Sequence, residues 1–213
     1  MSAQGESQAA GAAGRAAGCE SAGRDARAAG REAAREVRTA GRQAAREVHP
    51  IEPVYDEHSR VLLLGSFPSP KSREVGFYYG HPRNRMWRVL AEVCGCGASL
   101  PETTSERREF LLAHGIAMHD VASSCEIVGA SDASIRDVEP ADLSPIFATA
   151  RIEAVFATGS RAAELYEKLQ LPLTGVPAMR LPSTSPANAA MSLDALVEVY
   201  RTALGLYLAP LVA

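Results

Sequence analysis

A run of consecutive apolar residues, Val61-Leu62-Leu63-Leu64, ends at Gly65 and is the feature that most constrains the fold of this chain. A strand without a polar residue on either face must be covered on both sides, as the central strands of parallel sheets are. Residues 116–121 and 152–159 are further strand candidates, and residues 178–181 are a short fourth one. We therefore expect a parallel sheet built from these strands.

Helical patterns alternate with these strands. They cover residues 86–94, 105–113, 161–169 and 191–206. Helices between successive strands make parallel crossover connections. The predicted fold class is therefore α/β, a three-layer αβα sandwich with a short, mainly parallel central sheet.

Ligands of such sheets gather where the strands end at their carboxyl edge. This rule directs attention to residues 65–69, 123–135 and 181–188. None of these segments is a GxGxxG or a GxxxxGK[ST] phosphate loop, so a nucleotide cofactor is disfavoured. They hold small polar residues and prolines, which suit a pocket of the size of a base.

The first part of the chain has a different composition. Residues 1–50 consist mostly of Ala, Gly, Arg, Glu and Ser, with almost no large apolar side chain. Such a segment buries too little surface to fold alone, and we expect a disordered tail or a frayed helix. His49-Pro50 and Pro53 are taken as the boundary, so the predicted domain comprises residues 51–213.

Charge is unevenly distributed along the chain. The formal net charge is −3, yet residues 71–88 hold five basic residues against the single acid Glu74, together with four aromatic residues. A cationic and aromatic mixture suits contact with a nucleic-acid backbone and stacking on bases, although a solvated protein face has the same composition.

The cysteines indicate a reduced, cytoplasmic protein. Cys19, Cys94, Cys96 and Cys125 do not form a disulfide framework for a domain of this size. The pair Cys94 and Cys96 also lacks a usual iron–sulfur spacing, so we expect no metal and no cofactor. No stretch of about 20 apolar residues is present, and we expect a monomer that contacts no membrane.

Three segments resemble a known family. They are Leu64-Gly65-Ser66-Phe67-Pro68-Ser69, Tyr78-Tyr79-Gly80-His81-Pro82-Arg83-Asn84-Arg85-Met86-Trp87, and Pro182-Ser183-Thr184-Ser185-Pro186-Ala187-Asn188. In this order, over about residues 51–205, they are similar to the signature segments of the hypoxanthine-DNA glycosylases, the sixth family of the uracil-DNA glycosylase superfamily.

The resemblance implies a DNA repair enzyme and its partner. The enzyme would flip a deaminated base out of single- or double-stranded DNA and hydrolyse its N-glycosidic bond, leaving an abasic site. Hypoxanthine from deoxyinosine is the implied substrate, and uracil or xanthine is the alternative. Cleavage of a sugar C–N bond needs donors aimed at the departing base and a positioned water, and no metal.

Asn84 is the implied catalytic residue. Related uracil glycosylases place an Asp or Asn where this chain has Phe67, and Phe cannot position water. The resemblance therefore assigns that task to the Asn84 amide, either toward a water or toward the base. An Asn before a helical stretch is also a common helix cap, which is the structural alternative.

Two further sets of residues follow from the resemblance. The implied base pocket contains Ser66, Phe67, Pro68, Tyr79, His81 and Ser134. The implied DNA contacts are Ser69, Lys71, Arg83, Arg85, Ser183, Thr184, Ser185, Pro186 and Asn188. His119 stands where Trp is common in the family, and is interpreted as a structural or a titrating residue.

Two other functions compete with this interpretation. Ser66, Ser69, His81, His119 and Asp120 are the residue types of a serine hydrolase triad. However, residues 65–69 are not a GxSxG elbow, and Pro68 lacks the N–H that an oxyanion hole uses. The second rival is a module that binds damaged DNA without cutting it, and the presence of Asn84 disfavours that module.

Overall fold

The computed structural model describes residues 44–97, 99–129 and 131–208. The predicted extension, apart from its last residues, lies outside this part of the chain. The strands are β1 (Ala45–Val48), β2 (Val61–Gly65), β3 (Ile116–Asp120), β4 (Ala122–Ile127), β5 (Arg136–Pro140), β6 (Ala154–Thr158) and β7 (Ala178–Leu181). The helices are α1 (Pro70–Val75), α2 (Met86–Val93), α3 (Thr104–Ala113), α4 (Ser144–Thr149), α5 (Ser160–Leu165), α6 (Leu171–Thr174) and α7 (Leu193–Leu204).

A four-stranded parallel sheet forms the centre of the domain, in the order β3-β2-β6-β7. All five residues of β2 are buried, as the apolar run predicts. Alternate residues of β2 pack into two different hydrophobic clusters. Val61 and Leu63 face the cluster that contains α2 and α7, whereas Leu62 and Leu64 face the cluster that contains α4 and α5. The predicted α/β sandwich with a parallel central sheet is therefore confirmed.

The helices form where the sequence supplies caps and apolar stripes. Helix α3 begins with a capping box, in which Thr103 and Glu106 satisfy each other's backbone N–H groups. Helix α7 begins at Ser192, whose side chain accepts a hydrogen bond from the backbone N–H of Ala195. Leu196 and Tyr200 then bury the inner face of α7 against the sheet. Among the described residues, no helix has the length and hydropathy of a membrane span.

A second sheet lies outside the sequence-based prediction. It is antiparallel, with the order β1-β4-β5. Its first strand falls within residues 1–50, so the predicted domain boundary after Pro50 is wrong. The compact unit begins at Ala44. β1 pairs with β4 along its whole length, with Ala45 opposite Ile127 and Val48 opposite Ser124. This pairing is possible because backbone hydrogen bonds require no large apolar side chain.

Candidate active site

A cavity of about 500 Å³ opens at the carboxyl edge of the parallel sheet. Its size is within the roughly 300–1,000 Å³ that is usual for small-molecule sites. The wall is lined by Gly65, Ser66, Phe67, Pro68, Ser69, Ser72, Tyr78, Tyr79, His81, Arg83, Asn84, Asp120, Asp132, Thr158, Ser183, Ser185, Pro186 and Ala187. The segments after β2, β3, β6 and β7 thus converge as the rule for parallel sheets predicts.

Asn84 lies on the wall of this cavity, just before α2. Its side-chain oxygen accepts hydrogen bonds from the backbone N–H of Met86, at 2.9 Å, and from the hydroxyl of Thr184, also at 2.9 Å. Because a backbone N–H only donates, the atom facing Met86 is the amide oxygen. Both lone pairs of that oxygen are used, so the amide NH2 group is the part of Asn84 that remains for the cavity.

Thr184 and Arg85 hold the loop that faces Asn84. Thr184 is buried, and its carbonyl accepts from the backbone N–H of Arg85 at 3.1 Å. The Arg85 guanidinium donates to the main-chain carbonyls of Thr184, Ser185, Asn188 and Met191. One cation therefore fixes residues 184–191 against the start of α2, and four of its five N–H groups donate to carbonyl oxygens of the protein.

Two aromatic side chains flank the cavity. Phe67 is buried, and the guanidinium of Arg73 lies 5.8 Å from the centre of its ring. Tyr79 has a left-handed backbone with φ of 50°, which is uncommon for a residue with a side chain. Its hydroxyl donates to Thr158 at 2.8 Å, and the Thr158 hydroxyl in turn donates to the carbonyl of Leu64. Burial raises the pKa of Tyr79, so its hydroxyl stays protonated.

Asp120 ends β3 and lies directly opposite Gly65 in the register of β2. A Cβ atom at position 65 would lie 2.2 Å from Oδ1 of Asp120, so the glycine makes room for the carboxylate. The other oxygen, Oδ2, lies 2.9 Å from Nε2 of His49, the residue that follows β1. A buried acidic group thus meets the cavity beside Phe67.

His119 points to a different cluster from Asp120. Its Nδ1 lies 2.7 Å from the hydroxyl oxygen of Tyr78. The single proton of that hydroxyl is donated to the carbonyl of Glu52 at 3.1 Å, so Nδ1 of His119 is the donor to Tyr78. Burial lowers the pKa of His119 to about 4, and the nearby Asp120 carboxylate only partly opposes this effect. His119 is therefore neutral at physiological pH and serves as a structural hydrogen-bonding residue.

Asp132 also lines the cavity, and it lies in a short 3-10 turn formed by residues 132–134. Desolvation raises the pKa of its carboxyl group, a hydrogen bond with Ser66 lowers it, and Asp120 raises it further. The cavity therefore carries two acidic groups, which disfavours anionic ligands inside it.

Most residues that the sequence assigns to the base pocket line this one cavity. The exception is Ser134, whose hydroxyl donates to the carbonyl of Ser131 and accepts from the backbone N–H of Val128. It stabilises its own loop and is absent from the cavity wall.

The residues assigned to DNA contact divide into two groups. Ser69, Arg83, Ser183, Ser185 and Pro186 line the cavity, whereas Lys71, Arg85, Thr184 and Asn188 do not. Arg83 is exposed, and within the described ranges it forms no ion pair. Lys71 pairs with Glu74 at 2.6 Å on the surface of α1. Four of the five N–H groups of Arg85 donate to carbonyl oxygens of the protein, which disfavours its assignment to phosphate contact.

Sequence reasoning missed His49, Asp132 and Thr158. Thr158 and Asp120 follow the rule that strand ends bear site residues, although the sequence names Asp120 only among the residue types of a hydrolase triad. His49 carried no such signal, because its strand lacks an apolar pattern. Across the described ranges, no serine hydroxyl is hydrogen-bonded to a histidine ring. The geometry therefore gives no support to a serine hydrolase triad.

Fold and cavity together define an α/β protein with a base-sized site at the carboxyl edge of a parallel sheet. The chain belongs to the uracil DNA glycosylase superfamily, since the family model of that description matches residues 52–204. The resemblance inferred from the sequence is therefore confirmed.

Two curated relatives are each called hypoxanthine DNA glycosylase. The protein from Methanosarcina acetivorans is 34% identical over 137 residues, covering 63% of this chain and 84% of the relative. The protein from Methanosarcina barkeri is 33% identical over 138 residues, covering 64% and 85%. Among solved structures, the solution NMR structure of a candidate uracil DNA glycosylase from Methanosarcina acetivorans superposes with a TM-score of 0.60 at 28% identity. It covers 72% of this chain and 96% of the other.

Proposed function

We propose that this protein is a DNA glycosylase that excises hypoxanthine from deoxyinosine and leaves an abasic site. The observation that carries the proposal is the Asn84 side chain, whose oxygen is committed while its NH2 group remains for the cavity. Two relatives named hypoxanthine DNA glycosylase support this choice of base.

The reaction is a hydrolysis. A flipped nucleotide places its base in the cavity beside Phe67. The bond between C1′ of the sugar and the ring nitrogen of the base breaks, and its electron pair goes to the base. Water adds its oxygen to C1′, and one of its protons neutralises the leaving base. Positive charge on the sugar and negative charge on the base develop together in the transition state.

Asn84 acts on the leaving base. An N–H donor stabilises negative charge that grows on the base, and it interacts more strongly with the transition state than with the bound substrate. The amide oxygen has no free lone pair with which to orient a water molecule. We therefore assign Asn84 to donation toward the base rather than to water positioning.

The rim of the cavity is the surface proposed to bind DNA. Arg83 is exposed beside the loop formed by residues 183–188, which carries small hydroxyl side chains. Phosphate contacts of this kind fix the position of the duplex without reading its sequence. Of the two acidic groups, Asp120 is buried at the end of β3, whereas Asp132 is exposed in the turn formed by residues 132–134.

A panel of duplexes tests the proposed function. The duplexes are identical except for one position, which holds inosine, uracil, xanthine, ethenocytosine or adenine. The full-length protein is incubated in excess, and alkali-labile strand breaks are followed over time. We expect inosine to be cleaved fastest and adenine to remain intact. Fastest cleavage of uracil or xanthine would reassign the substrate, and binding without breaks would favour the non-catalytic module.

A further inference from the structure

His49 and Asp120 form a buried pair beside the cavity. Their side chains are 4% and 6% exposed, and Nε2 of His49 lies 2.9 Å from Oδ2 of Asp120. The other ring nitrogen, Nδ1, accepts a hydrogen bond from the backbone N–H of Ile51 at 3.2 Å. Since that nitrogen accepts, the proton of the neutral ring is on Nε2. His49 is therefore the donor and Asp120 the acceptor.

The second carboxylate oxygen, Oδ1, is directed at the cavity side of Gly65. It lies where a side chain at position 65 would begin, and Asp120 is part of the cavity wall. Within the described part of the chain, no donor is hydrogen-bonded to Oδ1, and it is not sealed from solvent. The pair thus presents one oriented oxygen that only accepts hydrogen bonds.

His49 lies before the segment that the family model matches, which starts at residue 52. The backbone of β1 carries it to this place: Val48 is paired with Ser124, and the N–H of His49 donates to the carbonyl of Ser123 at 2.8 Å. Its ring also packs edge-on against Phe67, with ring centres 5.9 Å apart. The N-terminal strand thereby contributes a side chain to the site.

We propose that His49 is a positioning residue that holds Asp120 as the acceptor for the ring N–H of a deaminated base. This inference rests on the proposed glycosylase function. Hypoxanthine has an N–H at ring position 1, whereas adenine has a lone pair at the same position. A fixed carboxylate oxygen attracts the first and repels the second. The pair therefore selects the deaminated purine against its undamaged parent.

Single and double variants of the full-length protein test this assignment. His49→Phe keeps an aromatic ring but removes the donor, and His49→Gln keeps a donor. In Asp120→Asn the amide oxygen must face His49, so an NH2 group replaces the acceptor. The matched control is His58→Phe, because His58 is an exposed histidine beside Gly115, at the opposite edge of the sheet from Asp120. Melting temperatures are recorded for every variant.

Two measurements are made on each variant, the single-turnover cleavage of an inosine duplex and the inhibition by free hypoxanthine or free unsubstituted purine. A hydrogen bond to a charged group predicts that Asp120→Asn weakens hypoxanthine inhibition roughly 10- to 100-fold, with little change for purine. Cleavage slows in parallel. His49→Phe shows a smaller loss, His49→Gln recovers part of it, and His58→Phe matches the wild type.

The double variant separates positioning from a general structural effect. If His49 acts through Asp120, His49→Phe with Asp120→Asn is no slower than Asp120→Asn alone. Additive losses, or wild-type cleavage by His49→Phe, would overturn the inference. An Asp120→Asn variant that cleaves slowly but keeps its affinity for hypoxanthine would also overturn it. If the wild type cleaves no deaminated duplex, the proposed function itself fails. If the wild type cleaves inosine but the variants do not follow the expected pattern, only the role of His49 and Asp120 fails.

Discussion

The hydroxyl of Thr184 donates a hydrogen bond to the side-chain oxygen of Asn84 across 2.9 Å, although the residues are 100 positions apart in the sequence. Together with the backbone N–H of Met86, this bond fixes which end of the Asn84 amide faces the cavity. The helix-cap interpretation and the catalytic interpretation of Asn84 are therefore compatible. The oxygen of the amide accepts from the backbone N–H of Met86, the first residue of α2, and the nitrogen is left for the substrate.

Replacement of Asn84 by Ala is expected to slow single-turnover cleavage of an inosine duplex by roughly 10²–10³-fold, since a donor to the transition state is lost. Duplex affinity should change little, and loss of the hydrogen bond from the Met86 N–H should cost about 1 kcal/mol of stability. Asn84→Asp should be as slow as Asn84→Ala, because a carboxylate oxygen would replace the NH2 group and repel the leaving base. Substantial activity of Asn84→Asp would instead indicate a water-positioning role.

Thr184→Val is expected to slow cleavage by roughly threefold to tenfold, because one neutral hydrogen bond that orients Asn84 is lost while the side-chain volume is kept. The effect should appear in kcat rather than in KM, and Thr184→Ser should restore the rate. Thr202→Val, on the exposed face of α7, is the control. Equal effects of both valine variants would argue that Thr184 has no positioning role.

Arg83 and Arg85 are expected to differ sharply. Arg83→Ala should weaken binding to all duplexes and reduce the salt dependence of log K by about one unit of slope. Arg85→Ala should instead lower the melting temperature, with a loss of about 2 kcal/mol or more, because four carbonyl oxygens lose a charged donor. Salt-dependent binding and thermal unfolding of both variants measure this contrast. A stable Arg85→Ala with a flatter salt slope would restore Arg85 as a phosphate contact.

Truncation should distinguish two parts of the N-terminal region. A chain that starts at Ala44 is expected to keep the melting temperature of the full protein, since residues 1–43 offer almost no large apolar surface. A chain that starts at Ile51 should melt several degrees lower, because it loses the β1 ladder and the His49–Asp120 hydrogen bond. The measurement is thermal unfolding of the full protein and of the chains that start at Ala44 and at Ile51. Identical unfolding curves for all three would indicate that the folded domain begins after residue 50.

His119 should contribute to a loss of stability in acid. Burial lowers the pKa of His119 to about 4 from an ordinary value of 6.5. The unfolded chain therefore binds a proton below about pH 6.5 that the folded chain accepts only near pH 4. Stability is full above pH 6.5 and falls through this window, by on the order of 3 kcal/mol. Denaturant unfolding of the wild type and His119→Gln should show a shallower pH dependence for the variant. Parallel curves would exclude this contribution.

Periodicity in the sequence determined the central sheet and most of its helices. A strand such as β2, apolar on both faces, has no stable place except between two packed layers, so burial alone predicts it. The ends of such strands then indicate where Ser66 and Ser183 gather, whereas Asn84 was assigned from the resemblance to the glycosylase segments. These inferences depend on local pattern and on the geometry common to all parallel sheets.

Only the tertiary structure decided the role of each polar side chain and the place of β1. β1 pairs through its backbone, and backbone hydrogen bonds leave no signature in the order of side chains. An arginine side chain by itself predicts a phosphate contact. The hydrogen-bond partners of Arg85, however, are carbonyl groups about 100 residues away in the sequence, so Arg85 stabilises the loop that carries them. Asn84 and Asp120 likewise offer a donor and an acceptor only because Thr184 and His49, distant in the sequence, occupy their other atoms.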